Sequence, residues 1–229
     1  VHIVETDQEK LDLGIKVITS NYNRSIKRGK LTEDEFKVRM SKITSSTSLT
    51  DLIGCDLIIE AVYEDIELKK QIFKELDKTA KSFAILATNT SALDINEIAL
   101  QTLRPDDIIG LHFFSPANVM KLLEIVRAKF TSDVVVASCL ELARRINKVP
   151  ALVGVCPGFV GNRILFERQK QALNLIYQGV MPWEVDKALN EFGFKMGPFQ
   201  MSDLAGLDIG WKKGAVTTNK IRDALCELD

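Results

Sequence analysis

The chain has 229 residues, of which 46% are hydrophobic and 27% charged, a composition that excludes disordered, collagen-like and coiled-coil proteins. Lys and Arg total 30 and Asp and Glu total 31, so the net charge of −1 gives no overall positive field to hold nucleic acid or an anionic membrane. The longest stretch without a charged residue, 149–162, is too short and too interrupted by Pro and Gly to cross a bilayer. We expect neither a nucleic-acid nor a membrane partner.

The cysteine and histidine content indicates reduced thiols and no metal site. The four cysteines form no C-x-x-C motif and lie in apolar surroundings, as is typical of reduced core thiols in an intracellular protein. The chain has only two histidines, so we expect no zinc site.

The first 155 residues have the pattern of an α/β domain. The chain begins with VHIV, which has a strand pattern and no initial Met, so we expect it to start inside a fold with an upstream segment missing. Short β-rich runs alternate with helical stretches, and this alternation predicts a mostly parallel sheet covered by helices. Strands are predicted in runs 1–4, 56–62, 83–88, 107–114, 121–126 and 149–155, and helices over 7–28, 66–80 and 133–146.

After the CPGF motif at 156–159 the strand pattern stops and a helical pattern begins. Helices are predicted over 163–178 and, from a first-turn proline, over 182–192. Residues 195–211 are rich in Gly and turn residues, and a last short helix follows. We therefore predict two domains, an α/β domain over 1–155 and a smaller all-helical domain over 156–229.

Glu5 follows the first predicted strand, where a dinucleotide-binding fold places the acid that accepts hydrogen bonds from the adenosine ribose. The matching G-x-G-x-x-G motif is absent from the chain and would lie about 20 residues before this acid. Its absence fits an upstream truncation as well as a fold that binds no dinucleotide. An ordinary strand-end carboxylate is the alternative for Glu5.

His112 stands near the end of an apolar strand in the sequence GLHFFSP, at the sheet edge where ligands bind in open α/β folds. An imidazole there can act as a general base near neutral pH. Glu124, in the next strand, is a single carboxylate among apolar residues and a candidate partner for the ring. The alternatives are a histidine bonded to a backbone carbonyl and a glutamate that points to solvent.

Polar residues at two further positions are candidates for ligand contacts. Asn89, Thr90 and Ser91 follow the strand at 83–88 directly, so they reach the same sheet edge and either bind a substrate oxygen or cap the next helix. Asn162 stands at the start of the second domain, and domain junctions are common places for ligand clefts. Capping of a helix is again the alternative for Asn162.

Five sequence motifs, in this order and spacing, resemble the L-3-hydroxyacyl-CoA dehydrogenase family over nearly the whole chain. They are EAVYE, ATNTSAL, GLHFFSPANVMKLLEIV, PGFVGNR and FGFKMGPF followed by DLAGLD. The resemblance implies a Rossmann-like, mostly parallel sheet without its first βα unit, followed by a helical domain. It implies NAD as cofactor and oxidation of a (3S)-3-hydroxyacyl-CoA to a 3-ketoacyl-CoA in fatty-acid β-oxidation.

The resemblance also assigns roles to single residues. His112 matches the family's catalytic histidine, Glu124 its paired carboxylate, and Ser91 and Asn162 the groups that contact the substrate's 3-oxygen. The matching cofactor-binding positions are Glu5, Glu64, Lys69, Asn89 and Ser115. Ser115 stands where some relatives carry Asn, a departure that bears on its cofactor contact.

Within the family, the motifs HFFSPA and EFGFKMGPF are most similar to the dehydrogenase part of peroxisomal multifunctional β-oxidation enzymes. This similarity implies an acyl-CoA substrate, a hydratase domain in the same parent chain, and a peroxisomal location, with mitochondrion and cytoplasm as alternatives. Relatives often dimerise through the helical domain, which gives a possible homodimer here. The alternative function is a non-catalytic acyl-CoA-binding or assembly module without a dinucleotide loop.

Overall fold

The structure is a computed structural model that describes residues 1–208, 211 and 219–228. These residues belong to two compact units, Val1–Phe159 and Val160–Asp229. The first contains strands and helices, and the described part of the second is helical. The first unit has the mostly parallel sheet and flanking helices that the sequence predicts, and a helical unit follows it.

The first unit contains seven strands and five α-helices in its described residues. The strands are β1 (His2–Val4), β2 (Thr44–Ser46), β3 (Leu57–Glu60), β4 (Ile85–Thr88), β5 (Ile108–Phe113), β6 (Leu122–Arg127) and β7 (Val149–Gly154). The helices are α1 (Gln8–Lys27), α2 (Glu33–Met40), α3 (Ile66–Thr79), α4 (Ile95–Ala99) and α5 (Asp133–Arg145). Two 3₁₀ turns lie at Leu49–Leu52 and Pro105–Asp107.

The strands form two sheets. β1 and β2 pair in parallel as a two-stranded sheet, and the other five form a sheet in the order β3-β4-β5-β6-β7. The pairings β3–β4, β4–β5 and β6–β7 are parallel, whereas β5 and β6 are antiparallel. The carboxyl ends of β3, β4 and β5 therefore lie at one edge of the sheet, and the first half of β6 meets them there.

Helix starts follow the capping residues in the sequence. The Asp7 carboxylate accepts from two backbone N–H groups at the start of α1, and the side chains of Asp65 and Ser132 each accept from one backbone N–H at the starts of α3 and α5. α1 ends just before Gly29, whose φ of +66° suits glycine. The sequence patterns did not predict α2, α4 or β2. All three elements are short, and α2 has no buried residue.

Two hydrophobic clusters pack on the sheet. Along β5, Ile108 belongs to one cluster and Ile109 and Leu111 belong to the other. Phe159, which is fully buried, completes the cluster that contains Ile108 and is therefore part of the first unit. Helices α3 and α4 cover this face and α5 covers the other, as expected for strands that are buried on both sides.

The second unit contains α6 (Gly161–Tyr177), α7 (Pro182–Phe192), α8 (Pro198–Ala205) and α9 (Lys220–Glu227) among its described residues. The prediction of turns over 195–211 was wrong for residues 198–205, which form α8, whereas positions 209–210 lie outside the described residues. The helix forms because Pro198 suits a first turn and the buried Asp186 carboxylate accepts from Phe199 N and Gln200 N, each at 3.0 Å.

Two features are absent from the part of the chain that the structure describes. No helix in 1–208, 211 and 219–228 has the length and hydropathy needed to cross a bilayer. Within the same residues no group of His, Cys, Asp and Glu side chains is arranged to hold a metal ion.

Candidate active site

His112 and Glu124 form a buried pair between β5 and β6. The antiparallel register places the two residues directly opposite each other, and His112 Nδ1 lies 2.8 Å from Glu124 Oε2. Their side chains are 7% and 1% exposed. Because the carboxylate accepts from Nδ1–H, the other ring nitrogen, Nε2, is left to act as base. The structure thus brings together the two residues that the sequence singled out for proton transfer.

Aromatic rings fix the orientation of the imidazole. The ring of Phe114 lies 4.4 Å from the His112 ring, and that of Phe159 lies 5.8 Å from it, measured between centroids. Both contacts come from residues of the HFFSP and CPGF motifs. The imidazole is therefore held by one carboxylate and two rings, an arrangement that limits ring rotation.

Ser91 and the residues around it are bound to Glu64. Glu64 Oε1 accepts from the Ser91 amide at 2.7 Å, from Ser91 Oγ at 3.0 Å, from Thr90 Oγ1 at 2.6 Å and from the Ala92 amide at 3.2 Å. Burial raises the pKa of Glu64, but hydrogen bonds from Thr90 and Ser91 and the charge of Lys69 outweigh burial and hold that pKa below its ordinary value. Glu64 thus orders the loop after β4 as an ionised carboxylate.

Lys69 lies behind this loop as a fully buried cation. Its Nζ donates to Glu60 Oε1 at 2.7 Å and lies 3.6 Å from Glu64 Oε2. Glu60 also accepts from Thr88 Oγ1 at 2.7 Å and from the Val62 amide at 2.6 Å. The sequence interpretation gave Glu60 no role, although a lone Glu at the end of an apolar strand, nine residues before a Lys on the following helix, was a usable signal.

Asn89, directly after β4, bonds to the ends of the two strands that flank β4. Its backbone N–H donates to the backbone carbonyl of Glu60 at 2.8 Å, and its side-chain Oδ1 accepts from the backbone N–H of Phe113 at 2.9 Å. Asn89 therefore ties the loop that carries Ser91 to the strand that carries His112. This contact positions the site, and the cofactor contact predicted for Asn89 stays a prediction.

The other sequence-predicted site residues lie outside this cluster. Glu5 follows β1 in the two-stranded sheet and accepts from the amide of Thr6 at 2.8 Å. Ser115 lies in the exposed loop between β5 and β6, where Lys148 Nζ donates to the carbonyls of Ala117 and Met120. Asn162 is the second residue of α6, in the second unit, and its contact with a substrate oxygen stays a prediction.

Comparison with known families decides the classification. Residues 1–156 match the family described as "3-hydroxyacyl-CoA dehydrogenase, NAD binding domain", and residues 158–226 match the corresponding C-terminal domain. The chain belongs to the 3-hydroxyacyl-CoA dehydrogenase family. Its first unit corresponds to the NAD-binding domain of that family, which bears out the resemblance inferred from the sequence motifs.

Several curated relatives are multifunctional enzymes. The chain is 47% identical to the peroxisomal bifunctional enzyme of Homo sapiens over 91% of this chain, and 43% identical to that of Cavia porcellus over 98%. A glyoxysomal fatty acid β-oxidation multifunctional protein of Brassica napus is 41% identical over 91% of this chain. The chain spans about a third of the length of these relatives, 29%, 34% and 29% respectively.

Solved structures share the fold. M. tuberculosis FadB2 superposes with a TM-score of 0.87 at 35% identity, covering 91% of this chain and 74% of FadB2. The dehydrogenase part of multifunctional enzyme 1 from C. elegans gives a TM-score of 0.68 at 31% identity, covering 99% of this chain and 53% of the other. The similarity extends over both family domains.

The residues at the sheet edge fit part of an NAD site. Hydroxyl, amide and carboxylate groups of Ser91, Asn89 and Glu64 suit the ribose and nicotinamide of the cofactor. The backbone amides of a G-x-G-x-x-G loop usually hold the pyrophosphate of a dinucleotide. This sequence does not contain that motif. The residues at this edge therefore fit the reactive end of NAD, and the contact of Glu5 with the adenosine ribose stays a prediction.

Proposed function

We propose that the chain is the dehydrogenase part of an enzyme that oxidises (3S)-3-hydroxyacyl-CoA to 3-ketoacyl-CoA with NAD⁺. The observation that carries the proposal is the buried pair of His112 and Glu124 at a sheet edge that also presents Ser91. A buried imidazole held by a carboxylate is the arrangement that proton abstraction from a hydroxyl requires.

In the proposed mechanism His112 acts as general base. Its Nε2 takes the proton of the 3-hydroxyl while the hydride on C3 leaves, and the product is a ketone. The carboxylate of Glu124 stabilises the imidazolium that forms, because the two groups lie 2.8 Å apart in a buried pair. NAD⁺, when bound, supplies the hydride acceptor. In the reverse direction the imidazolium returns its proton to the oxygen.

The remaining predicted residues position the reactants. We assign Ser91 and Asn162 to the substrate's 3-oxygen and Glu5 to the adenosine ribose of the cofactor. Glu64, Lys69, Asn89 and Ser115 are assigned to the cofactor side of the site. Support for these assignments comes from the family match and from the position of Asn89, Ser91 and Glu64 at the edge where β4 and β5 end.

The relatives supply the setting. The three curated relatives named above are described as peroxisomal or glyoxysomal, and one of them as a fatty acid β-oxidation protein. We extend this to the present chain as peroxisomal β-oxidation, with a hydratase domain in the parent chain. A homodimer formed through the helical domain belongs to the same proposal.

The test is NADH oxidation driven by acetoacetyl-CoA, measured on this chain and on the natural full-length protein that contains it. We expect turnover driven by acetoacetyl-CoA in the full-length protein. Absence of turnover in both, while acetoacetyl-CoA still binds, would overturn the proposal in favour of a non-catalytic acyl-CoA-binding module.

A further inference from the structure

Lys148 lies between the end of α5 and the start of β7. α5 ends in a Schellman motif, in which Asn147 adopts a left-handed φ of +58° and the Lys148 backbone N–H donates to the Ala143 carbonyl at 2.8 Å. Asparagine is one of the few residues besides glycine that adopt this conformation readily. The chain therefore turns at Asn147, and Lys148 leads directly into β7.

The register of β6 and β7 places Lys148 beside the loop that joins β5 to β6. Val149, the first residue of β7, pairs in parallel with Leu122, the first residue of β6. The Val149 backbone N–H also donates to the carbonyl of Lys121, the last residue of the loop, at 2.8 Å. The side chain of Lys148 therefore begins next to the point where the loop enters β6.

The ammonium group of Lys148 binds two carbonyls of this loop. Its Nζ donates to the Met120 carbonyl at 2.6 Å and to the Ala117 carbonyl. The same Nζ lies 6.0 Å from the centroid of the Phe113 ring. Hydrogen bonds from a charged donor are stronger than those between neutral groups. Lys148 thus ties the loop to the start of β7.

The segment that Lys148 binds is a compact turn. The backbone N–H groups of Val119 and Met120 both donate to the Pro116 carbonyl, at 2.9 and 3.0 Å. Residues 115–120 are exposed, so they gain little stability from side-chain packing, and their position depends on contacts of the backbone. Because both carbonyls that Lys148 binds belong to this turn, the contact fixes the turn as a unit.

The same loop carries two groups of the candidate site. Phe114 is its first residue, and the Phe114 ring lies 4.4 Å from the His112 ring, measured between centroids. Ser115 follows and is assigned to the cofactor side. Both residues directly precede the turn, so the position of the turn affects where their side chains lie. Proton transfer requires close alignment of the base, so a small displacement around His112 lowers the rate strongly.

We infer that Lys148 is a positioning residue, which holds the loop 114–121 so that the Phe114 ring stays against the His112 imidazole. The inference rests on the proposed function, because it concerns the same general base. This role differs from a direct contact between the ammonium group and an anionic ligand. The two roles predict different results, because only the first links Lys148 to the order of the loop.

Three variants and a control separate these roles. Lys148→Met removes the ammonium group and retains an apolar side chain, whereas Lys148→Arg retains a cation with several N–H donors. Phe114→Leu removes the ring contact and leaves Lys148 in place. Lys129→Met is the matched control, because Lys129 is exposed at the other end of β6 and its Nζ also lies near an aromatic ring, 5.5 Å from the centroid of Phe130.

Hydrogen exchange, kcat and NADH affinity are measured on the natural full-length protein. In Lys148→Met we expect exchange over 115–121 to be at least about tenfold faster and kcat at least about tenfold lower, with exchange in β5 unchanged. Because Ser115 lies in the same loop, the NADH Kd is expected to rise as well. Lys148→Arg should recover kcat to within about threefold of wild type. Phe114→Leu should lower kcat while loop exchange stays at the wild-type value.

Loop exchange or kcat in Lys148→Met equal to that of Lys129→Met would overturn the inference. A change in NADH affinity alone would assign Lys148 to a direct ligand contact, and faster exchange in β5 as well as in the loop would show a general loss of stability. Either result contradicts the inference. If the wild-type protein shows no turnover, the proposed function fails, and loop exchange in Lys148→Met then decides by itself whether Lys148 holds the loop.

Discussion

His112 on β5 and Glu124 on β6 are direct partners in an antiparallel register, and this register brings the imidazole Nδ1 to 2.8 Å from the carboxylate. A parallel pairing at this point would require a long crossover between the two residues. The reversal of one strand thus places a carboxylate beside the proposed base within twelve residues of chain.

Replacing the proposed base should abolish most of the turnover. His112→Gln is expected to lower kcat by about 10²–10⁴, the range typical of general-base catalysis, with little change in the NADH Kd. The chain offers a matched control in its second histidine: His2→Gln removes a ring that contacts Thr44 and Ser46 in the two-stranded sheet. Near-wild-type turnover in His112→Gln, measured by NADH oxidation, would contradict the assignment.

Neutralising the carboxylate partner should slow the same step. In Glu124→Gln an amide faces the ring, and because it lacks the negative charge it stabilises the imidazolium less. We expect a kcat at least about tenfold lower, with the KM for acetoacetyl-CoA changed less than kcat. Single-turnover kinetics would separate this effect from product release. An unchanged kcat would restrict Glu124 to a structural role.

Cofactor preference tests Glu5. A carboxylate that accepts hydrogen bonds from the ribose repels the 2′-phosphate of NADP, so kcat/KM should favour NAD. Glu5→Gln should reduce the NAD-over-NADP preference by at least about tenfold, which is about 1.4 kcal/mol. Glu9→Gln, in the first turn of α1, is the control. A wild-type preference for NADP in steady-state kinetics would remove Glu5 from the ribose site.

Packing under the site leaves no room for a side chain at Gly110 on β5. A Cβ there would lie 2.8 Å from Val126 Cβ and also overlap Ile95 Cδ1. Gly110→Ala should therefore destabilise the fold by about 1–3 kcal/mol, since a branched neighbour and the strand itself must shift. Gly54→Ala, where no atom lies within 4 Å of the new Cβ, should change stability by no more than about 0.5 kcal/mol. Urea denaturation of both variants makes the comparison.

Alkaline pH should weaken the fold through Cys139. Burial raises the pKa of this thiol from 9.0 to about 11. The unfolded thiol loses its proton first, so the stabilisation is complete below pH 9.0 and declines as the pH rises towards 11. We expect the stability difference between wild type and Cys139→Ala to shrink over that interval in urea titrations. A difference that does not vary with pH would show that the thiol ionises equally in both states.

The sequence predicted the helices that have strong ends and a periodic apolar face. α1, α3, α5 and α7 lie within two residues of their predicted limits, because caps such as Asp7 and Asp65 mark where they begin. α8 was missed because its capping carboxylate, Asp186, comes from a different helix and is not adjacent in sequence.

The candidate site was predicted unevenly for a similar reason. His112 and Glu124 stand out as single polar residues in apolar strands, a pattern that is visible locally. The cluster of Glu60 and Lys69 was not anticipated, because the burial of a lysine depends on how α3 packs over the end of β3. Tertiary packing rather than local sequence determines which charges lose their water.

The antiparallel β5–β6 pair also has a consequence for how the site assembles. Residues 112 and 124 are joined by a short loop, so bringing them together costs little loop-closure entropy. Pairing β3 with β4 closes a longer loop that contains the whole of α3, and its entropic cost is higher. The pair of His112 and Glu124 thus forms by a local contact, whereas the other strand contacts at this edge join residues far apart in the sequence. A change that weakens the pairing of β3 with β4 is therefore expected to disorder the Ser91 loop before it separates His112 from Glu124.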